Sequence, residues 1–288
     1  MTLTAQITIN NGVYMQGRII KNISNDYTIS ANNTVYICKP RGKLRQNNNT
    51  PLVGDIVNFD EKNNYILSIE PRKNELIRPS IANIDYAIVI SSVKHPKFDT
   101  YLLDKTLTII SYNNITPIIY LSKLDLLDDS EKKEINNYIK YYQKIGYYVV
   151  TTPKELLKLI KGKTVVLTGQ SGAGKSTLLN KIKPNLKLKT DDISESLGRG
   201  KHTTRHTELY DIDNTFIADT PGFSKIDFFN MQNIDIRDNM KEMFDNLEKC
   251  KYKDCMHINE DGCYIKELIT QNKILESRYN NYKSFIKR

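Results

Sequence analysis

The stretch that decides the fold runs from Lys163 to Lys183 and reads KTVVLTGQSGAGKSTLLNKIK. It opens on TVVL, a run of the kind a strand shows when both its faces are covered. It closes on KSTLLNKIK, a short amphipathic helix pattern. Between the two, Gly169-Gln170-Ser171-Gly172-Ala173-Gly174-Lys175-Ser176 fits G-x-x-x-x-G-K-[ST]. Glycines let backbone N–H groups curl around a phosphate, and the N-terminus of the next helix adds its positive dipole. In this pattern Lys175 reaches the β- and γ-phosphates of a nucleotide and Ser176 binds Mg²⁺ through its hydroxyl, with Thr177 next in the phosphate-contacting run. The strand before and the helix after are the context the pattern requires.

Downstream, the apolar strand TFIA (215–218) runs into Asp219-Thr220-Pro221-Gly222. An aspartate at a strand end near such a loop is the usual Mg²⁺ carboxylate, and Gly222 can offer its N–H to a γ-phosphate. Between the two motifs lies Gly198-Arg199-Gly200-Lys201-His202-Thr203-Thr204, where a switch segment belongs. Thr204 there is expected to complete the Mg²⁺ shell. Upstream, Ser122-Lys123-Leu124-Asp125 ends the strand TPIIYL (116–121) and matches N-K-x-D in all but its first residue. A carboxylate at Asp125 accepts from the ring N–H and exocyclic amine of guanine, a pair adenine lacks. Lys123 can lie along the base. Ser122 has no amide to read the purine and tie the loops together. Thr151 and Thr152, after YYVV, offer backbone contacts to the base.

The motifs therefore come in the order base reader, phosphate loop, first switch, second switch. Joining the ends of an ordinary guanine-nucleotide hydrolase and reopening it after the second switch gives this order without changing the fold. Domain termini often lie close enough for that. In Ras-like enzymes a glutamine after the second-switch glycine orients the attacking water. Here Phe223 holds that position. His202 is then the candidate to orient or deprotonate water, with Lys175 as the catalytic cation.

Around the motifs, IDYAIVISS, TPIIYLSK, YYVVTT and KTVVLTG alternate with helix patterns at FDTYLLDKTLTIISY, SEKKEINNYIKYYQKIG and PKELLKLIKG, which predicts a parallel doubly wound sheet. Residues 1–72 read instead as five short strands with Asn- and Gly-rich breaks, a small barrel of OB type. Cys38 falls in the alternating run TVYIC and is expected to be buried. The intervening KPRGKLRQNNNTP carries Lys39, Arg41, Lys43 and Arg45 on one loop with no acid, a solvated tip or a contact for RNA phosphates. PRKNELIRPS (71–80) reads as a linker. After residue 225 the chain is polar and helical. Cys250-x₄-Cys255-x-His257-x₅-Cys263 interrupts it with three thiolates and an imidazole, the complement of a closed structural Zn²⁺ site. Free buried cysteines or a redox pair are the other readings.

The 288 residues suffice for several domains. No apolar run is long enough for a membrane span, and the N-terminus lacks the features of a signal peptide, so a cytoplasmic protein is expected. A formal charge of +9 suits a polyanionic partner, although abundant Lys, Asn and Ile also reflect AT-biased coding.

Taken together, PRGKLRQ with PLVGD, SKLDL, GQSGAGKS, GRGKHTT, DTPGF and the Cys/His cluster resemble the circularly permuted GTPases that depend on the small ribosomal subunit, the RsgA (YjeQ/YloQ) family. The resemblance implies a multidomain chain: an OB-fold RNA-binding domain over 1–72, a circularly permuted α/β P-loop GTPase over 73–225 and a mostly helical zinc domain over 226–288. It also implies a monomer that hydrolyses GTP to GDP, stimulated by the 30S subunit and its 16S rRNA late in subunit maturation. Ser122 departs from the family's usual Asn or Thr. The rival readings are a P-loop ATPase, for which Asp125 has no use, and a non-catalytic RNA-binding module, against which the intact Lys175, Ser176 and Asp219 argue.

Overall fold

The computed structural model describes residues 7–9, 12–42, 44, 50–76, 80–184, 208–219 and 227–287. Lys43, Arg45, His202, Thr203, Thr204, Gly222 and Phe223 lie outside the described residues. Internal contacts divide the chain into two units. One comprises Met1–Asp85, Ile160–Leu167 and Ser194–Phe223, the other Tyr86–Leu159, Thr168–Ile193 and Ser224–Arg288.

In the first unit, β1 (Ile7–Ile9) pairs with β2 (Gly12–Ile23), followed by β3 (Asp26–Ala31), β4 (Thr34–Pro40), β5 (Ile56–Asp60) and β6 (Tyr65–Ile69). The order β2-β3-β4-β6-β5 returns to β2 through a β2–β5 pairing, so five strands close into a barrel. Only β4 and β6 run parallel. Inward residues alternate with outward ones, as along β3, where Tyr27, Ile29 and Ala31 are buried and Thr28 and Ser30 half-buried. Ile19, Ile29, Val57, Phe59 and Ile66 fill the interior. Cys38 is buried with them, and desolvation pushes its thiol up to about 11.

The expected linker is largely a docked hairpin. Strands β7 (Glu75–Leu76) and β8 (Ile81–Ala82) pair antiparallel. Arg72 donates through Nε and Nη2 to the two carboxylate oxygens of buried Asp55, both at 2.8 Å. A carboxylate taken out of water requires such a partner, and that requirement draws the segment onto the barrel.

In the second unit β9 (Tyr86–Ser92), α1 (Thr100–Tyr112), β10 (Thr116–Ser122), α2 (Asp129–Lys144), β11 (Tyr148–Val150) and α3 (Pro153–Ile160) alternate. β10 lies parallel between β9 and β11. Ala87 to Ile90 and Pro117 to Leu121 are buried on both faces, the pattern parallel strands need. Side chains set the helix starts: Asp99 accepts from the Leu102 N–H, and Asp128 and Glu131 form a reciprocal capping box.

β12 (Thr164–Gly169) carries the chain from the first unit into the second and leads to α4 (Lys175–Ile182). Back in the first unit, β13 (Leu209–Ile212) and β14 (Thr215–Asp219) form an antiparallel hairpin, and β14 runs parallel to β12. Asp213 and Asn214, with φ of 50° and 63°, make its two-residue turn.

The C-terminal helices α5 (Asn233–Asp238), α6 (Lys241–Asp245), α7 (Tyr264–Thr270) and α8 (Glu276–Ile286) belong to the second unit. Ile236, Met240, Met243, Ile265, Tyr282 and Phe285 pack with Ile109 of α1 in one core. Buried Arg278 of α8 bonds Asp104 of α1 and Glu242 of α6, each at 2.6 Å. Tyr142 and Asn281 donate to Asp104, and Tyr141 to Glu242. The charges are paired and their remaining lone pairs used, the condition under which buried ions are tolerated.

Candidate nucleotide site and metal centre

Gly169 ends β12 with φ +141°, and a Cβ there would stand 2.1 Å from the Ile90 carbonyl oxygen. No other residue fits. Gly174, at φ +98°, precedes α4 and offers no side chain to cap it, so the dipole at the helix start faces the loop. Lys175 Nζ donates to the carbonyls of Gly169 and Gln170 at 2.8 and 2.9 Å, folding its cation across the loop.

Ser122 does tie the loops, contrary to expectation. Its hydroxyl donates to the Ala173 carbonyl at 2.6 Å. A hydroxyl can serve in place of an amide here because the backbone comes close: a Cβ on Gly174 would lie 3.8 Å from Ser122 Cβ and Oγ. Lys123, in the left-handed region at φ 63°, donates through Nζ to the His95 carbonyl. His95 belongs to the turn after β9, where Lys94 also holds both oxygens of Glu131 at 3.0 and 2.8 Å. Motif reading missed that turn. The dipeptide His95-Pro96 at a strand end was its only signal in the sequence.

Asp125 sits in a short 3₁₀ turn, Leu124–Leu126. Among the described residues, no partner is recorded for its exposed carboxylate. It opens on a cleft of about 320 Å³ lined also by Ser122, Lys123, Thr151, Gly174 and Thr177. The Ser122–Asp125 loop and the start of α4 therefore share one cavity. The N–H groups of Thr151 and Thr152 donate to Glu155 at 3.2 and 3.3 Å, capping α3. The Thr151 N–H is the largest influence holding the Glu155 carboxyl below its usual range. Asp219 ends β14 in register with Leu167, two residues before Gly169. On the barrel, Lys39 and Arg41 are exposed, with Lys39 Nζ 3.8 Å from Asp26.

Cys250, Cys255, His257 and Cys263 converge, their ligand atoms all within 4.8 Å of one another. His257 Nδ1 lies 3.6 Å from Cys250 Sγ and 3.4 Å from Cys263 Sγ, close to the edge of roughly 3.5 Å that tetrahedral Zn–S and Zn–N bonds imply. Its Nε2 lies 3.2 Å from the Met243 carbonyl, which can only accept, so Nε2 carries the proton and Nδ1 the free lone pair. Glu260 accepts from the N–H groups of Met256, Ile258 and Asn259 and fixes the turn around His257. Burial pushes the Cys255 thiol up to about 12, helped by the neighbouring thiols. Three crowded thiols and a neutral imidazole fit a divalent cation, as the spacing predicted.

A phosphate loop on a parallel sheet, with the S-K-L-D segment earlier in the chain, marks a circularly permuted P-loop GTPase. The model of the RsgA GTPase family matches residues 69–229, and that of the RsgA N-terminal domain residues 16–66. The small ribosomal subunit biogenesis GTPase RsgA of Streptococcus agalactiae serotype III (strain NEM316) is 46% identical over 279 residues, covering 94% of each chain. Its namesake in Enterococcus faecalis is 43% identical over 282 residues, covering 95% of each. The crystal structure of YloQ, described as a circularly permuted GTPase, superposes with a TM-score of 0.82 at 32% identity, over 98% of this chain and 96% of that one. YjeQ from Thermotoga maritima gives 0.83 at 32% identity, over 96% of this chain and 98% of that one. The chain belongs to the RsgA GTPase family.

Proposed function

We propose that the chain hydrolyses GTP to GDP and phosphate in the biogenesis of the small ribosomal subunit, stimulated by that subunit. The observation that carries the guanine reading is the Asp125 carboxylate, without a recorded protein partner, in the cleft that also holds the start of the phosphate-loop helix. Ser122 and Lys123 support the base. Residues 169–177 take the phosphates, with Gly222 at the γ-phosphate. Ser176, Thr204 and Asp219 are the Mg²⁺ ligands, and Mg²⁺ supplies neutralisation of the charge developing on the phosphate oxygens. His202 orients the attacking water, since Phe223 cannot. Lys39, Arg41, Lys43 and Arg45 meet 16S rRNA phosphates, and Zn²⁺ holds Cys250, Cys255, His257 and Cys263 together.

These roles divide the chain at about residues 72 and 225 into RNA-binding, GTPase and zinc domains, working as a cytoplasmic monomer. No helix among the described residues is long and apolar enough to cross a membrane. The test is nucleotide competition with an Asp125→Asn variant. GTP and GDP are expected to displace a guanine probe where ATP and ADP do not. The variant should turn toward xanthine nucleotides, because an amide donor replaces a carboxylate acceptor. Equal competition by ATP and GTP in the unaltered protein overturns the reading.

A further inference from the structure

The hairpin that ends in Asp219 is held by the barrel, within one unit of the chain. Lys21 of β2 makes a lone antiparallel bridge with Glu208, outside the regular strand pairings. Its ammonium also lies 3.0 Å from the Glu208 carboxylate, with side chains 32% and 37% exposed. Three residues earlier on β2, Arg18 reaches the same hairpin. Its guanidinium stands 5.1 Å from the centre of the Phe216 ring in β14. Arg18 Nη1 donates at 3.0 Å to the Gly54 carbonyl of the barrel. One side chain thus binds both bodies.

The register of the hairpin gives this grip its meaning. Leu209 stands opposite Ala218, Tyr210 opposite Ile217 and Asp211 opposite Phe216. The pairing ends at Leu209 and Ala218, so Glu208 and Asp219 are the next residues on the two strands at that end of the hairpin. The residue that Lys21 holds, by backbone and by charge, therefore lies at the end of the hairpin where the proposed Mg²⁺ carboxylate leaves it. Arg18 in turn packs on Phe216, three residues before Asp219 on the same strand.

We infer that Lys21 and Arg18 are positioning residues for GTP hydrolysis: they fix the β13–β14 hairpin on the barrel and thereby fix where Asp219 stands. Neither belongs to a nucleotide motif, and both lie in the segment whose proposed task is RNA binding. The inference rests on the reading of Asp219 as a Mg²⁺ ligand.

The experiment is a Mg²⁺ titration of GTP turnover. Half-exposed ion pairs are weak, and reversing one partner replaces attraction by repulsion, so Lys21→Glu is expected to raise the half-activating Mg²⁺ concentration about three- to tenfold. Glu208→Lys should do the same. The double exchange, Lys21→Glu with Glu208→Lys, should recover most of the loss. GDP binding measured in EDTA should stay unchanged in all three, because no base or phosphate contact is altered. Lys21→Ala, with a smaller rise, serves if a reversal fails to fold. A folded Lys21→Glu protein with unaltered Mg²⁺ dependence overturns the inference, as does a double exchange no better than the single variants. Asp219→Asn separates the two levels: if it too leaves Mg²⁺ dependence unchanged, the reading of Asp219 falls, and the inference with it.

Discussion

Ser122 shows how a single side chain can tie the proposed base-reading loop to the proposed phosphate loop. Its hydroxyl spans the gap between the base-reading loop and Ala173 at 2.6 Å, while Lys123 is steadied by the His95 carbonyl. Ser122→Ala leaves the Ala173 carbonyl without that donor and frees the two loops to move apart. Loss of one such hydrogen bond should weaken GDP binding roughly three- to tenfold without altering preference for guanine over adenine. Isothermal titration with GDP and ADP checks it, and an unchanged GDP affinity would show the tie to be idle. The motif residues could be proposed from sequence because each chemistry demands a residue type at a fixed spacing. Lys175, Ser176, Asp125 and the Cys/His set are of this kind. The Ser122 tie was not legible, since whether a shorter donor reaches depends on how closely Gly174 lets the backbone approach. The role of His95 was hidden too, because a backbone carbonyl carries no sequence signature.

The helix expected from PKELLKLIKG is α3, starting at Pro153. The expected linker failed for a physical reason. Two short strands and an arginine reaching 17 residues back to a buried aspartate leave no periodic trace. β13 was missed as well, although Asp213-Asn214 between alternating runs is a hairpin signal. The metal loop makes the prediction at this scale. Cys255, Cys263 and His257 sit in the core formed by α5 to α8, beside Met243 and Tyr282. Without the proposed cation the site holds crowded thiols in an apolar setting, and metal binding is coupled to local folding. Chelation should therefore abolish amide-exchange protection across residues 250–265 and lower the melting temperature, while the barrel strands β2 to β6 keep theirs. Affinity for Zn²⁺ should fall as pH falls, because protons compete for the thiolates and for Nδ1. Metal analysis of protein purified without chelator is expected to give one Zn²⁺ per chain, and finding none would count against the centre.

For the whole molecule, the order of motifs was the informative signal. A base reader ahead of a phosphate loop has one simple explanation, and the relatives and solved structures bear it out over nearly the full chain. What no motif disclosed is the division of contacts. The described hairpin of β13 and β14 groups with the barrel, and the C-terminal helices group with α1 through the buried Arg278 pairs. Such grouping depends on pairings distant in sequence, Lys21 with Glu208 and Arg278 with Asp104 among them. On the proposed function, a partner that holds the barrel also holds the β13–β14 hairpin that ends in Asp219, which is one way a bound subunit would shift the population toward a competent arrangement. On this account His202→Ala should remove most of the stimulated turnover yet leave GTP affinity intact.

The central claim is tested most directly by phosphate release from GTP and from ATP, with and without purified 30S subunits, at fixed Mg²⁺ and salt. The account predicts slow release from GTP alone, a rise of at least about tenfold when subunits are added (groups that complete a GTPase site can give about 10³- to 10⁵-fold), and no response with ATP. GTP turnover unchanged by 30S subunits, or ATP hydrolysed equally well, would contradict it.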